Sequence, residues 1–185
     1  MTFSFLSLRR GLLALLGAAL LGGLSGCASQ RLDGYAQETP PLDLSTYFNG
    51  RLLAHGIFQD RSGQVQRRFT VEMDGTWQGN QGVLDERFRY SDGTQERRVW
   101  RLTKGPDGRY TGEADDVVGQ AEGQVVGNAL HWRYRLRLPV DGKVYEVDFD
   151  DWMYLVDERV MLNRATMSKF GIRLGEVTLS FTKLP

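Results

Sequence analysis

The densest chemistry in the chain lies in Asp148-Phe149-Asp150-Asp151-Trp152-Met153-Tyr154. Clustered carboxylates beside an indole and a phenol suit calcium ligation, pairing with arginine, or general acid/base work. The same residues also describe a solvated strand end whose aromatic neighbours fill a core. Successive side chains on a strand alternate faces, so Asp148 and Asp150 share one side and Asp151 takes the other. One site holding all of them would therefore need a bulge. A second group lies in Met161–Gly171, where Asn163 and Arg164 interrupt an apolar run. Facing a cavity, they would orient a carboxylate or phosphate head while Met161 and Met167 adapt to an acyl chain. Facing Asp150 or Asp151, Arg164 would instead fix strand register. The candidates for a ligand site or a polar network are thus Asp150, Asp151, Trp152, Tyr154, Asn163 and Arg164.

Other chemistry has less support. His55 and His131 are the only histidines; they lie on separate runs without a neighbouring cysteine, which describes neither a zinc nor a haem site. There is no G-x-S-x-G elbow, no Walker-type loop, and no glycine fingerprint opening a helix. No catalytic residue, metal or cofactor is assigned, and the reading leans away from an enzyme. The lone thiol, Cys27, has no partner for an intramolecular disulfide. It follows Arg9-Arg10 and an uncharged apolar run over residues 11–24 that is short for a membrane span. Leu24-Ser25-Gly26-Cys27 resembles the lipobox of bacterial lipoprotein precursors. Small residues at 25 and 26 let the chain lie extended in a peptidase cleft, and the Cys27 thiol accepts a diacylglyceryl group. Residues 1–26 are thus expected to be a cleaved signal peptide. Cys27 is expected to anchor the chain in a membrane, since two or three acyl chains at about 0.8 kcal/mol per buried CH₂ hold stably. Ala28 stands where an aspartate retains lipoproteins on the inner membrane, which points to the periplasmic face of the outer membrane.

Removing Arg9 and Arg10 leaves 21 basic against 23 acidic residues. That balance excludes a general nucleic-acid binder, which needs a basic excess. Residues 27–45 lack periodicity, contain Pro40-Pro41, and read as a flexible tether. Over residues 46–185 the pattern changes to short runs of period two between turn signals such as Ser62-Gly63, Asp92-Gly93, Gly127-Asn128 and Asp141-Gly142. Val65, Arg67, Phe69, Val71, Met73 and Trp77 share one strand face. In Leu130–Leu138 every even position is apolar or aromatic, while the odd ones are His131, Arg133, Arg135 and Arg137. Such alternation predicts half-buried antiparallel strands. Eight to ten of them joined by tight turns predict an all-β, up-and-down, calycin-like barrel, because closure removes exposed edges. A sandwich is the alternative.

Phe48-Asn49-Gly50-Arg51-Leu52, Phe58–Gly63, Tyr110–Gly119, Gly127–Tyr134, Asp148–Tyr154 and Met161–Gly171 together resemble a family of uncharacterised bacterial lipoproteins, the domain of unknown function number 3833. The resemblance implies a calycin-type barrel and carries no catalytic residue over to this chain. Members often lie beside genes for enzymes that modify membrane fatty acids, which turns the ligand expectation towards lipids. The leading expectation is a non-enzymatic, membrane-anchored barrel that binds a lipid or fatty-acid ligand. An accessory lipoprotein docking another envelope protein is the alternative, and a lipid-acting enzyme using Asp150 or Asp151 with Arg164 is a third.

Overall fold

The alternating runs become ten strands in a computed structural model that describes residues 30–140 and 142–185. They are β1 (Gly50–Asp60), β2 (Val65–Gln78), β3 (Gln81–Tyr90), β4 (Gln95–Lys104), β5 (Arg109–Glu113), β6 (Ala121–Val126), β7 (Ala129–Val140), β8 (Lys143–Leu155), β9 (Val160–Lys169) and β10 (Ile172–Lys183). Each pairs antiparallel with its chain neighbour, and β10 returns to β1 to close the ring. The closing seam runs from Leu52↔Lys183 to Asp60↔Gly175. Closure excludes the sandwich and leaves no free sheet edge. The signal segment, the lipobox and Cys27 lie outside the described residues.

Parity decides which side chains enter the barrel. Leu52, Ala54, Val71, Met73, Leu130, Trp132, Leu136, Val147, Phe149, Met161 and Phe181 are buried along the axis. The intervening positions face water and carry charge. Outside, Arg97 meets Asp85 at 2.9 Å and Arg135 meets Asp148 at 2.7 Å, while Arg67, on the inward row at the rim, meets Asp92 at 2.5 Å. A charged outer face is the reverse of a membrane-spanning barrel, whose apolar row points outward. Exposed pairs of this kind contribute at most about 1 kcal/mol each.

One end of the barrel is stoppered by the chain that precedes β1. Here the tether expectation for residues 27–45 needs correction, because from Leu32 the chain packs on the barrel. A helical turn at Leu32–Tyr35 lays Tyr35 against Tyr154, and the Leu42 amide donates to the Gly127 carbonyl at 2.8 Å. Leu42, Leu44, Tyr47 and Phe48 are all buried. Burying such side chains contributes about 1.5–3 kcal/mol each, which outweighs the stiffness of Pro40-Pro41. Asp43 caps the turn Leu44–Tyr47 by accepting from the Ser45 amide at 2.8 Å, and it also pairs with Lys104. Gly75 shows how closely the strap lies: a Cβ there would sit 1.9 Å from the Phe48 carbonyl oxygen.

Among the described residues the opposite end has no such cover. The turns joining β1 to β2, β3 to β4, β7 to β8 and β9 to β10 surround it. Phe58, Phe88, Tyr90, Leu138 and Val177 pack towards the core there yet are only half-buried. The barrel is thus plugged at one end, and at the other half-buried side chains line a mouth, or cup, with no strap over it among the described residues.

Candidate functional site

Below the open rim, charged groups enter the apolar rows. In β3 the inward row reads Leu84, Glu86, Phe88, Tyr90, and in β4 it reads Glu96, Arg98, Trp100, Leu102. The register sets Glu86 opposite Arg98 and Phe88 opposite Glu96. Glu86 is buried, and its carboxylate lies 3.9 Å from the Arg98 guanidinium. Arg98 also donates to Asp116, with Nε at 2.9 Å and Nη2 at 2.7 Å, and its guanidinium lies 5.3 Å from the Phe88 ring centre. Asp116 belongs to the loop between β5 and β6, strands too short to wall the upper barrel. That loop fills the gap: Val118 donates to the Arg135 carbonyl and Arg137 donates to the Asp116 carbonyl, both at 2.8 Å. Arg98 therefore fastens the loop while facing the axis.

Aromatic rings make the floor of the cup. Tyr134 stacks on Phe149 at 4.9 Å, and Trp100 meets Tyr134 edge-on at 5.5 Å and Trp132 at 6.0 Å. From Tyr90 at the rim to Glu86 is four residues along β3. At about 3.3 Å each and a tilt of roughly 35–45°, Glu86 lies on the order of 10 Å below the rim. On the wall formed by β8 and β9, the Asn163 amide donates to Asp151, and both residues are buried. Asn163 Oδ1 has no hydrogen-bond partner. Burial favours a protonated, neutral Asp151 carboxyl beside it.

The electrostatics favour that neutral form. Burial lifts the Asp151 carboxyl to about 7, overriding the opposite pull of the Asn163 donor. Burial likewise lifts Glu86 to about 7 against the attraction of Arg98. The same burial opposes the Arg98 charge, but its hydrogen bonds to Asp116 and the nearby Glu86 keep the guanidinium ionised. Burial holds the Tyr134 phenol neutral, and the Asp151 charge adds to that. Below about pH 7 the interior thus holds the Arg98 cation, two buried acids that carry protons, and a buried phenol. This is a donor-rich surface suited to an anionic or strongly polar head, framed by rings suited to an apolar body.

The residues singled out by sequence divide between two faces. Asp151 and Asn163 meet inside. Asp150, Trp152, Tyr154 and Arg164 lie outside, and the ladder through Asp148–Leu155 runs without the bulge that a common site would need. Asp150 accepts from the Trp152 indole at 2.9 Å and lies 3.1 Å from His131 Nε2; His131 stacks on Trp152 at 4.1 Å. Tyr154 continues that outer ladder, 6.4 Å from Trp152. Arg164 pairs with Glu176 at 2.8 Å, not with Asp150 or Asp151, and Arg173 shares the same carboxylate. Glu86, Arg98 and Tyr134 were not singled out from sequence. Their signal was a charge inside a period-two apolar row, as in Leu84-x-Glu86-x-Phe88. An open groove of about 550 Å³ crosses β9, β10, β1, β2 and β3, with Ile57, Arg68, Thr70, Arg89, Leu162 and Thr178 among its lining.

Comparison with solved structures places the fold. An S-type phycobiliprotein lyase from Guillardia theta superposes with a TM-score of 0.59 at 6% identity, covering 84% of this chain and 98% of that one. A protein of unknown function from the DUF3598 family of Nostoc punctiforme superposes with a TM-score of 0.55 at 10% identity, covering 85% of this chain and 53% of that one. At these identities the likeness is one of fold. No curated protein matches the sequence. The family model described as "Protein of unknown function (DUF3833)" matches residues 21–183, and the chain belongs to that family.

Proposed function

We propose that this member of the DUF3833 family is a non-enzymatic binding barrel, anchored in the envelope through Cys27, whose open cup takes a small amphipathic molecule of the fatty-acid or lipid kind. The observation that carries the reading is the placement of Arg98, Glu86 and the Asp151–Asn163 pair beneath a rim of half-buried rings. Charges are costly to bury, and a core serving only stability is as well or better made from apolar residues. The polar head of the ligand meets Arg98 and Glu86, whose carboxyl burial lifts towards its protonated form. Its apolar segment lies along Phe58, Phe88, Tyr90 and Val177. The aromatic floor limits depth, so a chain of modest length enters and a long one leaves its tail outside. The lyase of the same fold is, by its name, concerned with phycobiliproteins, which is compatible with a barrel that takes small ligands.

Native mass spectrometry of the protein released from its membranes in mild detergent tests the reading. The expected spectrum shows a non-covalent lipid-sized adduct at one per chain, lost when Val177→Trp fills the cup. An adduct-free wild-type protein that also fails to take up added palmitate would refute it. The anchor is tested separately: Cys27→Ala should move the chain from the membrane to the soluble fraction and abolish labelled-palmitate incorporation. A second reading, docking of another envelope protein, is favoured by the groove that Arg68 and Arg89 help to line. It expects cross-links from that groove to one partner and a cup that stays empty.

A further inference from the structure

One stretch of the barrel wall is not made of paired strands. β4 pairs with β5 only from Arg101↔Glu113 to Lys104↔Tyr110, and β6 pairs with β7 only from Glu122↔Arg133 to Val126↔Ala129. Residues 95–100 of β4 and 134–140 of β7 therefore lack β5 and β6 as neighbours, and the loop over residues 114–120 crosses between them. On the β7 side the loop is held by the isolated bridge Val117↔Leu136, the backbone hydrogen bonds from Val118 and Arg137, and the buried Val117 side chain. On the β4 side its polar ties among the described residues are two arginine–aspartate pairs. Arg101 and Asp115 stand 3.3 Å apart with the Asp115 side chain 97% exposed, and a pair of that kind contributes little. The fastening on this side is Arg98 with Asp116.

That fastening occupies a cation of the interior. Asp116 is held through Arg98 Nε and Nη2, while Nη1 lies 3.9 Å from the Glu86 carboxylate, beyond hydrogen-bond range. The Arg98 side chain is 17% exposed and that of Asp116 35%, so the guanidinium sits deeper than the carboxylate it holds. A carboxylate arriving from the mouth meets a guanidinium already matched by one negative charge, with Glu86 beside it. Two anions crowded on one cation repel strongly where water is scarce. Exchanging one carboxylate for the other leaves the charge balance as it was and returns Asp116, already partly exposed, to water. Arginine receives either carboxylate with the same fork of donors.

We propose that Asp116 is an internal stand-in for the acid group of the ligand: a carboxylate entering the mouth takes its place on Arg98 and frees the loop over residues 114–120 on its β4 side. The inference rests on the ligand reading above and deepens it, naming the ligand as an acid and coupling its arrival to the loop. The coupling runs both ways, so a loop released from Arg98 favours the acid as much as the acid favours the released loop. Removing the Asp116 charge therefore strengthens binding. A pair that only braced the wall would give the opposite result or none.

The test compares the full wild-type chain with Asp116→Asn, using laurate and its uncharged alcohol, dodecanol, as probes. Asparagine keeps the shape and an acceptor oxygen for Arg98 but not the charge. Titration calorimetry should show laurate bound about tenfold more tightly by Asp116→Asn than by wild type, a usual size for coupled sites. Dodecanol should bind the two chains alike. In the wild type, laurate should speed amide exchange at Val118 and Arg137 and leave the Leu42 amide at the plugged end unchanged, and dodecanol should do neither. This second arm needs no variant, so it decides even where Asp116→Asn fails to fold. Laurate bound equally or less tightly by a folded Asp116→Asn, or bound by wild type without any change at Val118 and Arg137, would overturn the proposal and leave the ligand reading standing. Laurate bound by neither chain would overturn the ligand reading itself, and the proposal with it.

Discussion

Replacing Asp151 with asparagine should make the protein more stable at high pH and leave it nearly unchanged at low pH. In the folded chain burial lifts this carboxyl from the free value of 3.8 to about 7. The folded state therefore holds the Asp151 proton more tightly than the unfolded one. Its contribution is fully present below about pH 4, is lost as pH rises to about 7, and stays lost above. About three pH units at roughly 1.4 kcal/mol each bound the loss near 4 kcal/mol. The pair shares its surroundings with Glu86, so about 2–4 kcal/mol is the gain expected for Asp151→Asn at pH 8. At pH 4 the neutral acid and the amide are close in shape, and the difference should fall within about 1 kcal/mol. Urea unfolding followed by tryptophan fluorescence at pH 4, 6 and 8 reads this directly, with an unchanged m-value certifying the same folded state. Glu86, also lifted to about 7, leaves the variant a residual decline of the same sign above about pH 4.5. Parallel stability curves for wild type and Asp151→Asn across the whole range would refute the buried, proton-holding acid.

The strap that closes the plugged end makes further predictions. Asp43→Ala removes the cap of the Leu44–Tyr47 turn and the partner of Lys104, and should cost about 1–2 kcal/mol in the same urea assay. Although burial opposes it, hydrogen bonds from Lys104 and Ser45 hold the Asp43 carboxyl at about 2. Its contribution is therefore present above about pH 4 and lost as pH falls towards 2, the opposite slope from Asp151. Gly75→Ala drives a methyl group into the Phe48 carbonyl and should destabilise by about 1–3 kcal/mol, with amide exchange accelerated in Leu42–Phe48 first. Arg98→Met leaves Asp116 and Glu86 facing each other without their cation. It should loosen residues 114–120, seen as faster amide exchange at Val118 and Arg137.

Much of this molecule was legible as alternation. The rows Phe69-Val71-Met73 and Leu130-Trp132-Leu136 point inward as their spacing required, and the arginines at 133, 135 and 137 face water. Parity alone set Asp151 against Asp148 and Asp150, and it put Asn163 on the apolar side of β9. What parity cannot give is register. Glu86 and Arg98 become partners only because β3 and β4 pair so that the two face each other, and Asp116 joins them only because β5 and β6 are short. The strap was hidden for a different reason. Leu42 and Leu44 are too few to show a period, and Pro40-Pro41 reads as a linker, yet the end of a barrel needs only a handful of apolar side chains to close it. Asp43, followed by a short turn, was the local signal of a cap.

The central claim is that a ligand enters the open cup, and methyl and aromatic NMR shifts on titrating the protein with palmitate locate it most directly. Saturable shifts should concentrate at Val177, Leu138, Phe58 and Phe88, and move with the Arg98 side-chain signals. Shifts confined to Ile57 and Leu162 in the groove, or none at saturating palmitate, would contradict the account.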